Sequence, residues 1–256
     1  STALVGRVPL AGLHSDEGRC GGVLFDISAL CEERRQSEIF CHLLGLVMGR
    51  MSGSDVPVIL GLPGSVTKDG LKAIGAAGAS SGGVALFHAV GVTPEAPSLE
   101  AAFQGREPGK RIEVTEELLE EARVSLCSAS AGPLSMVALG TPHFSVTEFQ
   151  RLVELLDGWK IHPDVAFYVS TSRFVAGVAR EKGWLDLLEK AGVSVLVDTC
   201  TYFAPAVKAA RGRVMTNSAK WAYYAPGMLP VEVAFGDMKD CVEAAIRGEV
   251  RTGAAS

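Results

Sequence analysis

The apolar residues of the N-terminal half occur in short β-branched runs and in longer segments with helical spacing. Val23–Ile27 and Val56–Leu60 predict strands, whereas Ser37–Met51 and Thr67–Gly75 have the periodicity of amphipathic helices. Glycine-rich stretches such as "GLPGS" and "GAAGASSGG" separate these segments and predict turns. We therefore expect this part of the chain to fold as an α/β unit.

The C-terminal half alternates strands and helices more regularly. Thr115 is expected to open a helix, and Ser145 with Glu148 has the spacing of a capping box. The predicted strands are Leu134–Leu139, Val165–Val169, Val193–Val197, Arg213–Met215 and Val231–Phe235, and the predicted helices are Ser145–Leu156, Arg173–Lys182, Trp184–Ala191 and residues 236–248. This alternation predicts a mainly parallel sheet with helices on both faces.

A loose stretch that contains proline and glycine, Gly91–Lys110, lies between the two halves. Its end is the predicted boundary between a first α/β portion, residues 1–110, and a second, residues 111–256, which carries the polar loops described below. The alternative is a long functional loop within one domain.

The composition favours a protein whose partner is a small molecule. The formal net charge is −5, and no basic run is long enough to bind nucleic acid or an anionic membrane. Although 48% of the residues are hydrophobic, charges, glycines or prolines interrupt every apolar run. None reaches the ~20 residues that a membrane span needs.

The six cysteines lack the dense spacing of a secreted disulfide scaffold, so we expect reduced thiols and a cytoplasmic protein. The chain begins with Ser1 and shows no targeting pattern, and we expect it to be a fragment that lacks an upstream N-terminal segment.

Polar residues follow four successive predicted strands. Because ligands bind beyond the carboxyl ends of parallel strands, these loops are expected to form one site. They would bring together a histidine, an arginine, a thiol, a lysine and several hydroxyls, from Gly140–His143, Ser170–Arg173, Asp198–Thr201 and Thr216–Lys220. Hydroxyls at helix starts, with Arg173 and Lys220, would suit a carboxylate or a phosphate. The simpler interpretation is that the hydroxyls and Asp198 only cap helices and that His143 is an ordinary loop residue.

Cys200 is the most notable thiol, because it follows a strand and lies among helix-start amides and basic groups. Such surroundings lower a thiol pKa and suit either a nucleophile or a metal ligand, although a buried structural thiol is equally compatible with the sequence. Cys127, in another loop of small residues, is its nearest candidate partner. The other four cysteines are predicted to be core residues.

Four motifs, in order along the chain, carry a resemblance to a known family. They are "ALGTPHFSVTEF", "VDTCTYFAP", "MTNSAKWAYYAPG" and "VAFGDMKDCVEAAIRG", and "VGRVPLAGLHSDEGR" adds a fifth near the N-terminus. Together they resemble the catalytic portion of aconitase X, a branch of the aconitase superfamily. The resemblance implies a three-layer α/β/α fold of two packed portions. It also implies an iron–sulfur hydro-lyase that dehydrates a small hydroxy acid, with a small swivelling domain or subunit as a possible partner.

The motifs "GTPHFS" and "WAYYAPG" are more similar to the bacterial type of this family. The substrate implied for that type is cis-3-hydroxy-L-proline. Alternatives are a subunit that dehydrates mevalonate 5-phosphate and a non-catalytic module that binds small anions. The catalytic residues expected under the dehydratase hypothesis are Ser218, His143 and Lys220: Ser218 or His143 would transfer the proton, and Lys220 would hold the substrate carboxylate with Arg173. The other expected roles are substrate binding by Arg173, Ser170, Ser172, Thr141 and Asn217, and metal binding by Cys200 and Cys127.

Overall fold

The N-terminal half builds a four-stranded parallel sheet in a computed structural model that describes residues 2–202 and 211–251. Its elements are α1 (Thr2–Val5), β1 (Gly21–Asp26), α2 (Glu32–Gln36), α3 (Glu38–Ser52), β2 (Val56–Leu60), α4 (Lys68–Gly82), β3 (His88–Ala89), α5 (Leu99–Ala102), β4 (Lys110–Glu113) and α6 (Glu116–Ser125). The strands lie in the order β3-β2-β1-β4. We call this the first unit.

The C-terminal half, the second unit, builds a larger sheet in the order β7-β6-β5-β8-β9, with β10 antiparallel to the start of β5. Its elements are β5 (Gly132–Phe144), α7 (Val146–Leu156), β6 (Ala166–Thr171), α8 (Arg173–Glu181), α9 (Trp184–Ala191), β7 (Val193–Val197), β8 (Gly212–Thr216), α10 (Ala219–Met228), β9 (Val231–Phe235), α11 (Met238–Arg247) and β10 (Glu249–Val250). All other neighbouring strands of this sheet are parallel, as the sequence predicts.

Helices α3, α4, α6 and α10 lie in one apolar core with inward-facing residues of both sheets. Strand β5 shows that both faces of the second sheet are buried, because successive side chains of a strand point to opposite faces. Met136 and Ala138 join this shared core, whereas Val137 and Leu139 join an outer core with α7, α8, α9 and α11. The two units are therefore packed together through helices.

Helices α3 and α4 approach each other closely enough to require glycine. A Cβ atom on Gly82 would lie 1.6 Å from the carbonyl oxygen of Gly49, and a Cβ on Gly45 would lie 2.4 Å from that of Ile74. No larger side chain fits at such backbone contact without a shift of the helices. The two helices that carry part of the site described below are thus held in direct contact.

The boundary between the units falls later in the structure than at the predicted position 110/111. Strand β4 pairs with β1, and α6 packs in the shared core beside α3, so residues 110–125 belong with the first unit. The sequence also does not predict α10, which contains Pro226. Among the described residues, none of the helices combines the length and apolar character that a bilayer crossing requires.

Candidate functional site

The carboxyl ends of the parallel strands in the second sheet bring several of the predicted site residues to one edge. Thr141 lies on β5, Ser170 on the neighbouring β6, and Asn217 and Ser218 follow β8 on the other side. Gly140 permits the close approach of β5 to β6, because its φ is +83° and a Cβ there would lie 2.1 Å from the carbonyl oxygen of Ser170.

Ser218 forms the N-cap of α10. Its hydroxyl accepts a hydrogen bond from the backbone N–H of Trp221 at 3.0 Å and donates one to the carbonyl oxygen of Thr141. Its own N–H donates to Thr216 Oγ1 at 3.1 Å. These bonds explain why α10 begins directly after this residue. The role of Ser218 in proton transfer stays a prediction.

A cleft of about 590 Å³ opens between this edge and the first unit. The N-terminal parts of α3 and α4 form one side, and the starts of α7 and α11 with Asn217 form the other. Polar and ionisable side chains from both units therefore face a common space that is large enough for a small organic substrate.

Glu38, the first residue of α3, joins the two units at this cleft. Its Oε1 accepts hydrogen bonds from Asn217 Nδ2 and from the backbone N–H of Met238, both at 3.0 Å. Its Oε2 lies 2.9 Å from Arg151 Nη1. Burial raises the pKa of Glu38, and the contacts with Asn217, Arg151 and Met238 only partly oppose this. A carboxylate with a raised pKa is a better proton acceptor than an exposed one.

A second charged group connects α4 with α7. Lys72 Nζ lies 2.6 Å from Glu148 Oε2, 2.9 Å from Asp69 Oδ1 and 3.0 Å from the carbonyl oxygen of His143. Burial alone would lower the pKa of Lys72, but Glu148 and Asp69 outweigh it, and the pKa is raised. Burial raises the pKa of Glu148 despite the neighbouring ammonium. Glu148 also completes the predicted capping box with Ser145.

His42, one turn after Glu38, lies against the start of α10. Its Nδ1 accepts a hydrogen bond from the backbone N–H of Ala219 at 3.4 Å, and its ring packs edge-on against Phe235. Burial, with a smaller effect from Lys72, lowers the pKa of His42 to about 4. The imidazole is therefore neutral near pH 7 and can donate a hydrogen bond only from Nε2.

Two arginines supply positive charge to the cleft. Arg35 Nη1 donates to the carbonyl oxygen of Gly61 at 2.7 Å, and Arg151 forms the ion pair with Glu38. Since a guanidinium carries five N–H donors, both arginines retain donors for a ligand carboxylate.

Arg173 and Ser172 occupy a different place. Ser172 caps α8, and Arg173 Nε lies 2.5 Å from Asp198 Oδ2, with 85% of the arginine side chain exposed. The backbone and side chain of Arg173 hold the pKa of Asp198 below its usual range. The structure does not bring Arg173 to the cleft, and its role as a carboxylate clamp stays a prediction.

The remaining predicted residues, His143, Lys220 and Ser170, do not line the cleft. His143 contacts the Lys72 group through its carbonyl oxygen, and Lys220 is the partly buried second residue of α10. Ser170 is fully buried behind Gly140. The catalytic and binding roles of these side chains stay predictions.

The two predicted metal ligands lie on loops from opposite edges of the second sheet. Cys200 follows β7 and adjoins Tyr202, where burial and the nearby thiol raise the pKa of the phenol to about 12. Cys127 Sγ lies 3.9 Å from the carbonyl oxygen of Phe235, at the end of β9. Four strand spacings, about 19 Å, separate the ends of these strands.

An iron–sulfur cluster is usually held by several thiolates. Within residues 2–202 and 211–251, no three His, Cys, Asp or Glu side chains are grouped so as to hold a metal ion. The described residues do not by themselves fit a cluster, and the ligand roles of Cys200 and Cys127 stay predictions.

The sequence interpretation missed the charged residues that helices bring to the cleft. Glu38 and His42 interrupt an otherwise apolar helix four positions apart, and Asp69 and Lys72 lie three apart in α4. Residues at these spacings share one helix face. Polar pairs within apolar helical segments are therefore the signal that could have identified them.

Comparison with known proteins gives consistent matches over both units. Residues 21–124 match the aconitase X second domain, and residues 134–247 match the aconitase X third domain. The chain is 41% identical to a cis-3-hydroxy-L-proline dehydratase of Pseudomonas aeruginosa, over 98% of this chain and 43% of that protein. It is 31% identical to a phosphomevalonate dehydratase large subunit of Methanocaldococcus jannaschii, over 95% of this chain and 59% of that protein.

A solved structure agrees with these matches. The crystal structure of Thermococcus kodakaraensis aconitase X in its holo-form has a TM-score of 0.80 and 28% identity, and the match covers 95% of this chain and 60% of that one. The aconitase-like α/β fold is thus confirmed, and the chain spans less than two thirds of the length of these relatives. The chain belongs to the aconitase X family and contains its second and third domains.

Proposed function

We propose that this chain forms the catalytic cleft of a dehydratase that removes water from cis-3-hydroxy-L-proline. The observation that carries the proposal is the 41% identity to a cis-3-hydroxy-L-proline dehydratase over 98% of the chain. The more distant phosphomevalonate dehydratase large subunit supports the same reaction class with a different substrate. The cleft supports an enzyme rather than a simple anion-binding module, because it contains buried carboxylates as well as cations.

The reaction requires two proton-handling groups. The C2–H bond breaks and its electron pair forms the C2=C3 bond, while the C3–O bond breaks and its pair leaves with oxygen. The resulting enamine tautomerises to a pyrroline carboxylate. In the cis isomer the C2 hydrogen and the C3 hydroxyl lie on opposite faces of the ring. One group must therefore accept a proton from C2 while another protonates the leaving hydroxyl.

Glu38 and Glu148 provide this pair. Both are largely buried, both have raised pKa values, and they project from different helices. We assign Glu38 as the acceptor of the C2 proton and Glu148 as the donor to the leaving hydroxyl. Arg35 and Arg151 would hold the substrate carboxylate as negative charge builds at C2.

Iron–sulfur dependence and a partner domain are proposed for the dehydratase as a whole. The resemblance to aconitase X supports the cluster, and the designation "large subunit" of an archaeal relative supports a smaller partner. The test for the cluster is iron content and visible absorbance of the full-length protein, purified without oxygen. Cys200→Ser should remove both if Cys200 is a ligand, with Cys31→Ser, at an exposed cysteine, as the control. Full iron retention in Cys200→Ser would reject that role.

The substrate is tested with the full-length enzyme. We expect turnover of cis-3-hydroxy-L-proline. Turnover of the trans isomer should be much slower, because its C2 hydrogen and C3 hydroxyl lie on the same face of the ring. Mevalonate 5-phosphate is the competing substrate. Preferential turnover of the phosphate, or no turnover of either hydroxyproline, would contradict the proposal.

A further inference from the structure

A small side chamber adjoins the cleft and has a volume of about 20 Å³. Its polar lining comes from His42, Asp69, Lys72, Thr141, Glu148, Asn217 and Ser218. Four of these residues, His42, Asp69, Glu148 and Asn217, also face the cleft itself. A cavity of ≳10–15 Å³ holds one water molecule when two or more polar groups line it. The chamber therefore has the size and polarity for a single oxygen atom.

Thr141 provides the first specific group in the chamber. The residue is 1% exposed, and its hydroxyl has no hydrogen-bond partner among the described residues. Its backbone carbonyl, by contrast, is held by the Ser218 hydroxyl, so the residue has a fixed position. A buried hydroxyl without a partner costs stability, which favours a ligand atom that can hydrogen-bond to it.

His42 provides the second group. The backbone N–H of Ala219 donates to Nδ1, which leaves the proton on Nε2. The charged groups that line the same chamber are Lys72, Asp69 and Glu148. A neutral imidazole with its ring held by α10 can donate a hydrogen bond from Nε2 without giving up its proton.

We propose that this chamber is a subsite for a single hydrogen-bonded oxygen, which Thr141 Oγ1 and His42 Nε2–H hold. This inference rests on the proposed function in one respect: during dehydration, the oxygen is the one that leaves C3. It departs with the electron pair of the C3–O bond, takes a proton from the Glu148 carboxyl and remains in the chamber as water. Neither His42 nor Thr141 gains or loses a proton.

The occupancy of the chamber is tested without any assay of activity. Crystals of the full-length protein should show an ordered oxygen within hydrogen-bond distance of Thr141 Oγ1 and His42 Nε2, and Thr141→Val should lose it. Nitrogen-15 NMR should find neutral His42 with its proton on Nε2. An empty wild-type chamber, or a proton on Nδ1, would overturn the proposal. Thr201→Val is the folding control, because Thr201 is equally buried and its hydroxyl also has no hydrogen-bond partner among the described residues, but it does not line the chamber.

The role in the reaction is tested by kinetics. Thr141→Val and His42→Phe should each lower kcat about tenfold or more, with a much smaller change in KM, because the hydrogen bond strengthens as charge builds on the oxygen. Unchanged kcat in both variants would overturn the role in the reaction even if the dehydratase is active. Conversely, an ordered oxygen in a protein that does not dehydrate hydroxyproline would reject the proposed function but retain the subsite.

Discussion

The two units contribute different kinds of chemistry to the cleft and its side chamber. The first unit supplies ionisable side chains from helices, namely Glu38, His42 and Lys72, whereas the strand ends of the second unit supply the hydroxyls and amide of Thr141, Ser218 and Asn217. Most of the second set already bond to backbone groups or to the first unit. The difference indicates that the first unit carries much of the proton chemistry and that the strand ends position it, with Glu148 of α7 as the exception.

Removal of one group from each unit tests this difference most directly. Glu38→Gln should lower kcat by about 100-fold, because the amide cannot accept the C2 proton. Ser218→Ala should mainly cost about 1 kcal/mol of stability through loss of the α10 cap. Steady-state kinetics and urea unfolding measure the two effects. If Ser218→Ala lowers kcat as much as Glu38→Gln does, Ser218 takes part in proton transfer, as the sequence predicts.

The contact between α3 and α4 offers a structural test of the first unit. Gly82→Ala would place a Cβ 1.6 Å from the Gly49 carbonyl oxygen, so the helices must separate, and we expect a loss of about 3 kcal/mol. Gly177→Ala in α8 is the control. Nothing lies within 4 Å of a Cβ there, and the change should be neutral or mildly stabilising. Equal unfolding midpoints for the two variants would show that the close contact does not matter.

Arginine substitutions compare the cleft with the exposed edge of the second unit. Arg151→Ala should raise KM about tenfold, since a charge-assisted contact to the substrate carboxylate is lost. Arg173→Ala should have a smaller effect, because that side chain is 85% exposed and paired with Asp198. Arg123→Ala provides the baseline, because Arg123 pairs with Glu120 on α6 and does not line the cleft. A larger KM effect at Arg173 would restore its predicted role as a clamp.

The smallest effect concerns Cys41, a buried thiol that faces the cleft. Burial raises its pKa from 9.0 to about 11, so the native state retains a proton that the unfolded state loses between these values. The corresponding stability is present below pH 9 and is lost as pH rises towards 11. We expect the stability of the wild type relative to Cys41→Ala to fall by roughly 1 to 2 kcal/mol over this interval. A constant difference between pH 8 and 11 would contradict this.

The sequence predicted the strands well because their β-branched runs leave few alternatives. Val56–Leu60, Val193–Val197 and Val231–Phe235 have the predicted bounds, and Ser145 forms the predicted capping box. The short strands β3 and β4 were missed because two to four residues give no measurable periodicity. Helix α10 was missed because Pro226 and two tyrosines obscure its pattern.

The sequence predicts the strand-end part of the site but not the helix-borne part, for a physical reason. Loops after parallel strands must converge at one edge, so the sequence alone suffices to group Thr141, Asn217 and Ser218. The positions of Glu38, His42 and Lys72 depend instead on how α3 and α4 pack across the second unit, which no local pattern specifies. The same packing leaves Arg173 at the periphery, although its loop follows a strand of the same sheet.

The chain passes from the first unit to the second only once within the described residues, through residues 126–131. All other contacts between the units, including Glu38 with Asn217 and Lys72 with Glu148, are non-covalent. A gene cut at this connection would encode two polypeptides, each with a complete sheet but only part of the cleft. Co-expression of such halves from different relatives would recombine the helix-borne charges of one with the strand-end hydroxyls of another.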